Sequence, residues 1–478
     1  MASRTPKGRA HPTRRVRRAP ALLAAVLLLA AAARADGDAT PGGAAEAEPG
    51  AARAGGLALS EALAAALADG ETAQIAGLEA ERAVDIAGQE RSAYLPRASI
   101  TSNAGYNNRW NEKLEAVDSA GVQRTYGLSS IASDEGWFNV YLDQLLVDLA
   151  TWQRIERAQI EAEAAALARE EQRESVAFEV LQRFAEAVRQ DRLAGLAADR
   201  LAATERLDQQ AGLLLAAGRV RPADREHAAL LLEEARVEAA TRAAEARSAR
   251  AALGLAMGRG ALAAPDRLDA ASLPDTSAGY GPEQDVTASP ELRVLDLRRK
   301  AEEKGIAVAR AGHLPTVAVR GGYSHYGVKR YDNYPDAVRV GVNVDVPLFQ
   351  GLKNEYAVEG AAKSAEIARL RYRQVLETRR ARVRELAQRL ESGSQTPALA
   401  ERRAAVSRER LRLAELALRA DRAGLDEALS ALADDVRAEG AAIDAPIDRV
   451  VVWGQLHRET GTLARALGAL ASPAQSQN

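Results

Sequence analysis

Residues 338–348 read Val-Arg-Val-Gly-Val-Asn-Val-Asp-Val-Pro-Leu, and this stretch decides the class of fold. A valine stands at every even position from 338 to 346, so a strand formed here has one apolar face. The odd positions hold polar or small residues, which cover the opposite face. The apolar set is Val338, Val340, Val342, Val344 and Val346, and the other set is Arg339, Gly341, Asn343 and Asp345. This alternation fits a strand of a soluble sandwich or a strand in the wall of a membrane barrel.

The distribution of aromatic residues favours the membrane barrel. The sequence predicts four extended segments, at about 97–108, 137–146, 316–327 and 337–349. Fourteen of the 19 Phe, Trp and Tyr residues lie within 94–152 and 323–356, on these segments or beside them. Aromatic girdles that border an alternating apolar band are typical of transmembrane barrels. We therefore expect the valines of residues 338–346 to face lipid.

The remaining chain is predicted to be mainly helical and to repeat one order of elements. Helices at about 59–93, 151–217 and 223–257 surround the first two extended segments, and helices at about 290–311, 354–423 and 426–467 surround the other two. Pro96 and Pro315 end the helix before each pair of strands, because proline cannot continue a helix. We interpret residues 57–258 and 288–467 as two copies of a helix–strand–strand–helix–helix unit. A connector rich in Gly, Pro, Ser and Asp joins them at 259–287.

The N-terminal segment predicts export from the cytoplasm. Residues 1–35 begin with a basic stretch, continue with an apolar run and end at Ala33-Arg34-Ala35, which predicts a signal peptide cleaved before Asp36. A membrane anchor is the alternative, but the apolar run is short for a hydrocarbon core of about 30 Å. Residues 1–35 hold eight bases and no acid, so the remaining chain has 56 bases against 66 acids, which disfavours a nucleic-acid ligand. Residues 36–56 are expected to be a flexible lead-in, and residues 468–478 a disordered tail.

Four strands are too few to close a membrane barrel. About 8 strands are the minimum, and an open sheet edge cannot face lipid. We therefore expect three chains to share one barrel of 12 strands. Its lumen would be lined by Asn139, Asp143, Arg320, Asn343 and Asp345. A helix of residues 151–217 would reach roughly 100 Å, which is long enough to cross much of a periplasm.

Four groups of residues resemble the TolC family of outer-membrane efflux and secretion channels. The sequence Leu-Ala-Leu-Ser-Glu-Ala-Leu at 57–63 resembles the start of the family's first helix. The Leu-Pro pairs at 95–96 and 314–315 resemble its two helix-to-barrel junctions, and residues 344–351 resemble its exit from the barrel. Residues 218–224 and 423–426 resemble its two helix turns. The resemblance covers about residues 57–467.

This resemblance implies a homotrimer in which a 12-stranded outer-membrane barrel continues into a long α-helical periplasmic barrel. It implies passive export from a tripartite efflux or type I secretion system, energised by an inner-membrane RND or ABC transporter through a periplasmic adaptor. Outer-membrane lipids would surround the barrel. The adaptor would contact the tips of the helices, at Gly218, Arg219, Val220, Pro222, Gly424 and Leu425. Gly218 and Gly424 are expected to permit the helix reversals through their backbone freedom.

The resemblance also directs attention to acidic residues as a candidate gate. Asp224 stands where the family has an acidic partner in the first turn, but the family's tyrosine and arginine near the second turn fall on Asp421 and Asp426. The family latch is therefore not carried over, and Arg219, Arg221, Arg225 and Arg422 are candidates for replacement salt bridges. The ring aspartates of the family fall on Ser430 and Ala433. Asp434 and Asp435 lie one helical step away from these two positions. The pair has two interpretations, as an acidic ring in the lumen of the trimer or as a solvated face of the helix.

Two further features depart from the family pattern. Residues 392–397 read Ser-Gly-Ser-Gln-Thr-Pro inside an otherwise continuous helix, which predicts a kink or local unwinding. The chain contains no cysteine, so it has neither a disulfide nor a cysteine for a lipid anchor.

Two other functional classes were weighed against a channel. An enzyme is disfavoured because the five histidines have no metal-ligand spacing and no nucleotide-binding or nucleophile motif is present, so we expect no catalytic residue, metal or cofactor. A periplasmic coiled-coil scaffold or adaptor without a pore would explain the helices. It would not explain the alternation at 338–348 or the clustering of aromatic residues. The sequence does not distinguish drug, metal or protein as the exported substrate.

Overall fold

The computed structural model describes residues 56–107, 113–117, 121–127, 133–260, 265, 267–276, 285–328, 336–420, 422 and 424–470. The predictions for the signal peptide, for nearly all of the lead-in and for residues 471–478 lie outside the described residues. The chain divides into two compact units. A sheet unit contains Tyr94–Leu146 and Val317–Val344, and a helical unit contains the described parts of Arg53–Ala93, Val147–Thr316 and Asp345–Asn478.

Within its described residues, the sheet unit contains six strands in two sheets. They are β1 Arg97–Asn107, β2 Lys113–Val117, β3 Gln123–Gly127, β4 Ser133–Val147, β5 Thr316–Val328 and β6 Ala337–Asp345. The main sheet has the order β1-β4-β5-β6, which confirms the prediction of a small four-stranded sheet. β1 pairs antiparallel with β4, from Arg97 opposite Asp143 to Asn107 opposite Ser133. β1 and β6 are therefore the two edge strands.

The polar segment between the first two predicted strands, where the sequence predicts no strand, contains a second, two-stranded sheet. β2 and β3 pair antiparallel, from Lys113 opposite Gly127 to Val117 opposite Gln123. Gly121 lies between the two strands with a φ of 79°, a conformation that glycine adopts readily. Polarity alone did not exclude strands here, because the bonds of a hairpin join backbone groups whatever the side chains are.

The helical unit contains nine helices within the described residues. They are α1 Leu59–Asp69, α2 Glu71–Arg91, α3 Leu149–Ala216, α4 Pro222–Ala256, α5 Pro290–Ala311, α6 Lys353–Ser392, α7 Thr396–Arg419, α8 Leu425–Thr460 and α9 Leu463–Leu470. At about 1.5 Å per residue, α3 is roughly 100 Å long. Asp148 caps its first turn by accepting a hydrogen bond from the Ala150 N–H at 2.9 Å.

Three predicted helices are interrupted in the structure. The predicted break at 392–397 is present, since α6 ends at Ser392 and α7 begins at Thr396 with Pro397 in its first turn. The helix predicted at 59–93 divides at Gly70, and the helix predicted at 426–467 divides at Gly461, where φ is 70°. Among the described residues, none of the helices is both long enough and apolar enough to span a membrane.

The helices pack in two overlapping layers around α3. One layer has the order α2-α3-α5-α6, and the other has the order α4-α3-α8-α7. In α7 the side chains that face α8 recur every seven residues, as in a coiled coil, and include Ala400, Ala404, Ala414 and Leu418. The largest apolar core joins α1, the middle of α3 and the C-terminal part of α8, with Phe184 fully buried at its centre. The outer helices of both layers therefore bury only one narrow side.

Candidate functional site

The first helix turn is stabilised by its own backbone and by one ion pair. Gly218 has a φ of 67°, and the Arg219 N–H donates to the Leu214 carbonyl at 2.8 Å, which closes the last turn of α3. Pro222 then begins α4, where its missing N–H costs nothing. The carboxylate of Asp224 accepts bonds from the Arg221 N–H at 3.2 Å and from the Arg221 guanidinium at 2.8 and 3.0 Å. These bonds lower the pKa of Asp224, with the guanidinium bond as the largest cause.

The second helix turn uses a different backbone conformation. The Arg422 N–H donates to the Ala417 carbonyl at 2.8 Å, and α8 begins after Gly424. Gly424 has a φ of −77° and a ψ of 159°, which is extended backbone open to any residue. The second turn therefore does not use the left-handed backbone that glycine permits, whereas the first turn does at Gly218. Asp421 lies outside the described residues.

An apolar cluster lies beneath the two turns. It contains Leu207, Ala211, Ala228, Leu418, Leu425, Leu429 and Leu432, with Val220 packed at its edge. Leu425 is 3% exposed, so this predicted tip residue is a core residue in the single chain. The pKa of Arg221 is raised by Asp224 and, to a smaller extent, by Asp426 of the second turn. The two turns therefore lie within electrostatic reach of each other.

Among the arginines proposed as replacement partners, Arg221 and Arg225 form ion pairs near the turns. Arg221 pairs with Asp224 in the same turn, as described above. Arg225 of α4 pairs with Asp208 of α3, with contacts of 2.5 and 3.3 Å, and the Asp208 side chain is largely buried. This second pair joins the two helices on either side of the first turn.

The adjacent aspartates Asp434 and Asp435 occupy opposite environments. The Asp434 side chain is 63% exposed and accepts a bond from Arg437 at 2.9 Å. Asp435 is 8% exposed, and its Oδ1 has no hydrogen-bond donor among the described residues. Burial raises the pKa of Asp435, with repulsion from Glu439 adding to the effect and Arg408 opposing it. In the single chain, only Asp434 of this pair offers its carboxylate to solvent.

One face of the main sheet carries the polar residues predicted to line a lumen. Arg320 of β5 forms an ion pair with Asp143 of β4, and its guanidinium lies 5.8 Å from the centre of the Tyr141 ring. Asn139 lies two residues before Tyr141 on β4 and is buried. A Cβ on Gly322 would lie 3.1 Å from the Tyr141 ring, so the two strands approach closely there. The remaining predicted members, Asn343 and Asp345, are exposed on β6.

The opposite face of the sheet is apolar and exposed on β6. Val338, Val340 and Val342 are 74%, 77% and 65% exposed, and Val344 and Val346 are at least half exposed. At one end of this face, Asp336 accepts a bond from the Tyr323 hydroxyl at 2.7 Å and lies 2.6 Å from His325 Nδ1. Phe138 packs beside both rings, at 5.9 and 5.2 Å between ring centres. Sequence reasoning identified the aromatic residues here but not the pairing of His325 with Asp336, which joins residues on either side of a loop.

The comparison with known families identifies the second half of the chain. Residues 282–469 match the family described as "Outer membrane efflux protein". This match confirms the resemblance to TolC-family outer-membrane efflux channels that the sequence motifs indicate. Among curated proteins, none matches the sequence significantly. Within the described residues, no group of three His, Asp or Glu side chains is arranged to hold a metal ion.

Solved structures of outer-membrane channels share the fold of most of the chain. VceC from Vibrio cholerae has a TM-score of 0.69 and 14% identity over 84% of this chain and 96% of its own. The CmeC channel of Campylobacter jejuni has a TM-score of 0.71 and 13% identity over 87% of this chain and 90% of its own. The MtrE channel of Neisseria gonorrhoeae, solved in its open state, has a TM-score of 0.67 and 19% identity over 84% and 88%. The match over residues 282–469 and the shared fold therefore both make the chain similar to outer-membrane efflux channels.

Proposed function

We propose that three copies of this chain form one passive export channel through the outer membrane and into the periplasm. The observation that carries this proposal is the open edge of the main sheet. β1 and β6 are edge strands with unpaired backbone groups, and such an edge cannot remain exposed to lipid. Pairing β1 of one copy with β6 of the next closes a barrel, and three copies supply 12 strands.

The order of the helices supports the same closure. One layer ends in α2 and α6, and the other ends in α4 and α7. In each layer, as in the sheet, one outer element comes from the first half of the chain and the other from the second half. This arrangement fits a head-to-tail contact repeated around a ring. It also fits our interpretation of the chain as two copies of one helix–strand–strand–helix–helix unit.

In the proposed barrel the two faces of the sheet have separate roles. The valines of β6 contact lipid, and the face with Asn139, Asp143 and Arg320 lines the water-filled lumen together with Asn343 and Asp345. The two helix turns, at 217–224 and 422–429, form the periplasmic tips that contact an adaptor protein. Asp224, Asp426 and Asp434 are the candidate gate residues in the described part of the chain, and the buried Asp435 would need a helix movement to reach a lumen.

The proposed channel supplies a path rather than energy. An inner-membrane RND or ABC transporter drives export through the adaptor, and residues 1–35 direct the chain across the inner membrane before cleavage. The test is to purify the protein from outer membranes, analyse it on gels without boiling and record its conductance in planar bilayers. We expect a heat-dissociable trimer with open-channel currents. A soluble periplasmic monomer without conductance would instead support a coiled-coil scaffold.

A further inference from the structure

The outer faces of α4 and α7 carry matching patterns. On α7, Leu399, Val406 and Leu413 recur every seven residues along one side of the helix, and they are 49%, 58% and 52% exposed. On α4, Leu230 and Val237 recur at the same spacing on the side away from α3, and they are 57% and 67% exposed. Ala244 continues the α4 series seven residues further on. A seven-residue apolar repeat is the pattern of a coiled-coil seam, and both seams are uncovered in the single chain.

The charges beside these seams are opposite. The α7 seam borders a groove of about 660 Å³ between α7 and α8, whose lining includes Arg402, Arg403 and Arg410 of α7 and Asp434 and Arg437 of α8. Within the described residues, none of these three α7 arginines has a carboxylate partner, whereas most other arginines of α6–α8 form ion pairs. The α4 seam borders a shallower groove lined by Glu233, Glu234, Glu238 and Glu245.

Glu234 lacks the internal partner that each of its neighbouring glutamates has. Glu233 pairs with Arg236, Glu238 pairs with Arg200, and Glu245 pairs with Arg242. Within the part of the chain that the structure describes, Glu234 has no such pair. The uncovered faces therefore present an unpaired glutamate on α4 and unpaired arginines on α7.

The two seams also match in their distance from the helix turns and in the side on which their charged neighbours lie. Val237 follows Pro222 of the first turn by 15 residues, and Val406 precedes Gly424 of the second turn by 18, so both lie roughly 25 Å from neighbouring turns. Glu234 follows Leu230 by four residues, and Arg410 follows Val406 by four. Since α4 runs away from its turn and α7 runs towards its turn, two such helices would pack antiparallel. In that packing, flanking positions with the same offset lie on the same side of the seam.

We infer that α4 of one copy packs antiparallel against α7 of the next copy, with Val237 beside Val406 and Glu234 paired with Arg410. This inference rests on the proposed trimer and names the seam that closes its helical part near the tips. Charge complementarity and the matched spacing on one chain favour a second copy as the occupant. Because the pairs lie at the rim of an exposed seam, salt weakens the contact.

The chain has no cysteine, which allows a direct test by cross-linking. In the full-length channel, the double variant Val237→Cys/Val406→Cys is treated with a short bismaleimide and analysed after denaturation. We expect covalent dimers and trimers, at more than fivefold the yield of either single variant. The matched control is Leu255→Cys/Val406→Cys, which moves the first cysteine 18 residues up the same stripe of α4, roughly 27 Å. It is expected to give no cross-link.

A charge exchange tests the proposed ion pair separately. Arg410→Glu is expected to lower the temperature at which the trimer dissociates in detergent, and the double variant Arg410→Glu/Glu234→Arg is expected to restore it. Arg412→Glu is the control, because Arg412 pairs with Glu409 on its own helix and lies off the seam. Failure of the exchange to restore the trimer would refute the ion pair.

The outcomes separate this inference from the proposed function. A wild-type protein that conducts as a trimer but gives no Val237–Val406 cross-link would overturn the seam and leave the channel intact. The same holds if cysteine at 406 reacts only with a different protein, which would make the α7 groove an adaptor site. A wild-type protein that neither forms trimers nor conducts would remove the channel itself.

Discussion

Replacing Asp435 by alanine is expected to stabilise the helical unit, whereas the same change at the adjacent Asp434 is not. Both residues lie in α8, so both variants gain the same helix propensity, about 0.7 kcal/mol. Asp434 loses an exposed pair with Arg437, which is worth about 0–1 kcal/mol. Asp435 is buried in the same stripe as Leu429 and Leu432, and its Oδ1 lacks a donor among the described residues. An unsatisfied buried polar group costs about 1–3 kcal/mol, so Asp435→Ala should exceed Asp434→Ala by about that amount.

The difference between the two variants should depend on pH. Burial raises the pKa of Asp435 in the folded chain above the value of about 3.9 expected for an unfolded aspartate. The stability associated with its protonated form is fully present below the unfolded pKa and is lost as the pH rises through the folded pKa. Removing the carboxyl group therefore gains least near pH 4 and most near neutral pH.

The assay is urea unfolding of the detergent-solubilised protein, followed by far-UV circular dichroism at several pH values. The two variants are compared through their midpoints, after checking that the slopes of the transitions agree. The reasoning is refuted if Asp435→Ala is less stable than Asp434→Ala, or if their difference is constant from about pH 4 to pH 8. Either result would mean that Asp435 Oδ1 is hydrogen-bonded in the assembled protein, most simply by a donor from a second copy.

Three further changes test local features of the helical unit. Glu174 accepts hydrogen bonds from the Leu463 and Ala464 N–H groups at 2.8 and 3.1 Å, so Glu174→Ala should weaken α9 by about 0.5–2 kcal/mol and speed hydrogen exchange at 463–467; an unchanged rate would contradict this. Gly218→Ala should destabilise the first turn by about 1–2 kcal/mol, because the backbone at Gly218 is left-handed. The matched control Gly424→Ala should be nearly neutral, because the backbone at Gly424 is extended. Equal unfolding midpoints for the two variants would contradict this prediction. Burial lowers the pKa of His457 to about 4, so the stability of the protein should fall as the pH drops from about 6.5 towards 4. His457→Gln should make this fall smaller. A pH profile of stability that the substitution does not alter would exclude His457 as its origin.

The elements that the sequence predicted well are those fixed by local patterns. The alternation at 338–346 requires β6, and the bounds of α5 follow from Pro290 and from the turn before Pro315. The break at Gly461 was not predicted, because it depends on contacts distant in the sequence. A Cβ at this position would lie 2.3 Å from the Pro290 Cδ, so the close approach of two distant segments requires glycine here.

The candidate site was predictable in composition but not in arrangement. The sequence indicated acidic residues at 434 and 435, and neighbouring positions on a helix differ by about 100° in direction. Which of the two enters the core depends on how α8 packs against α3 and α7, and no local signal carries that information. The pairing of Arg320 with Asp143 likewise requires the neighbour relation of β4 and β5, which lie about 170 residues apart in the chain.

The unusual composition of the chain follows from how its helices are buried. The inward side of α2 consists largely of alanines, at 73, 76, 80, 83 and 87, and its opposite side exposes Ile75 and Leu78. A helix with two narrow apolar sides differs from one with a single broad apolar face on a globular core. Helix contacts made of small residues such as alanine bring the helices close together and leave little space for aromatic side chains. This accounts for the scarcity of aromatic residues in α2, α4 and α7. In the proposed trimer the second side of each outer helix packs on the next copy, so the composition that prevents a thick core in one chain suits a closed wall made by three.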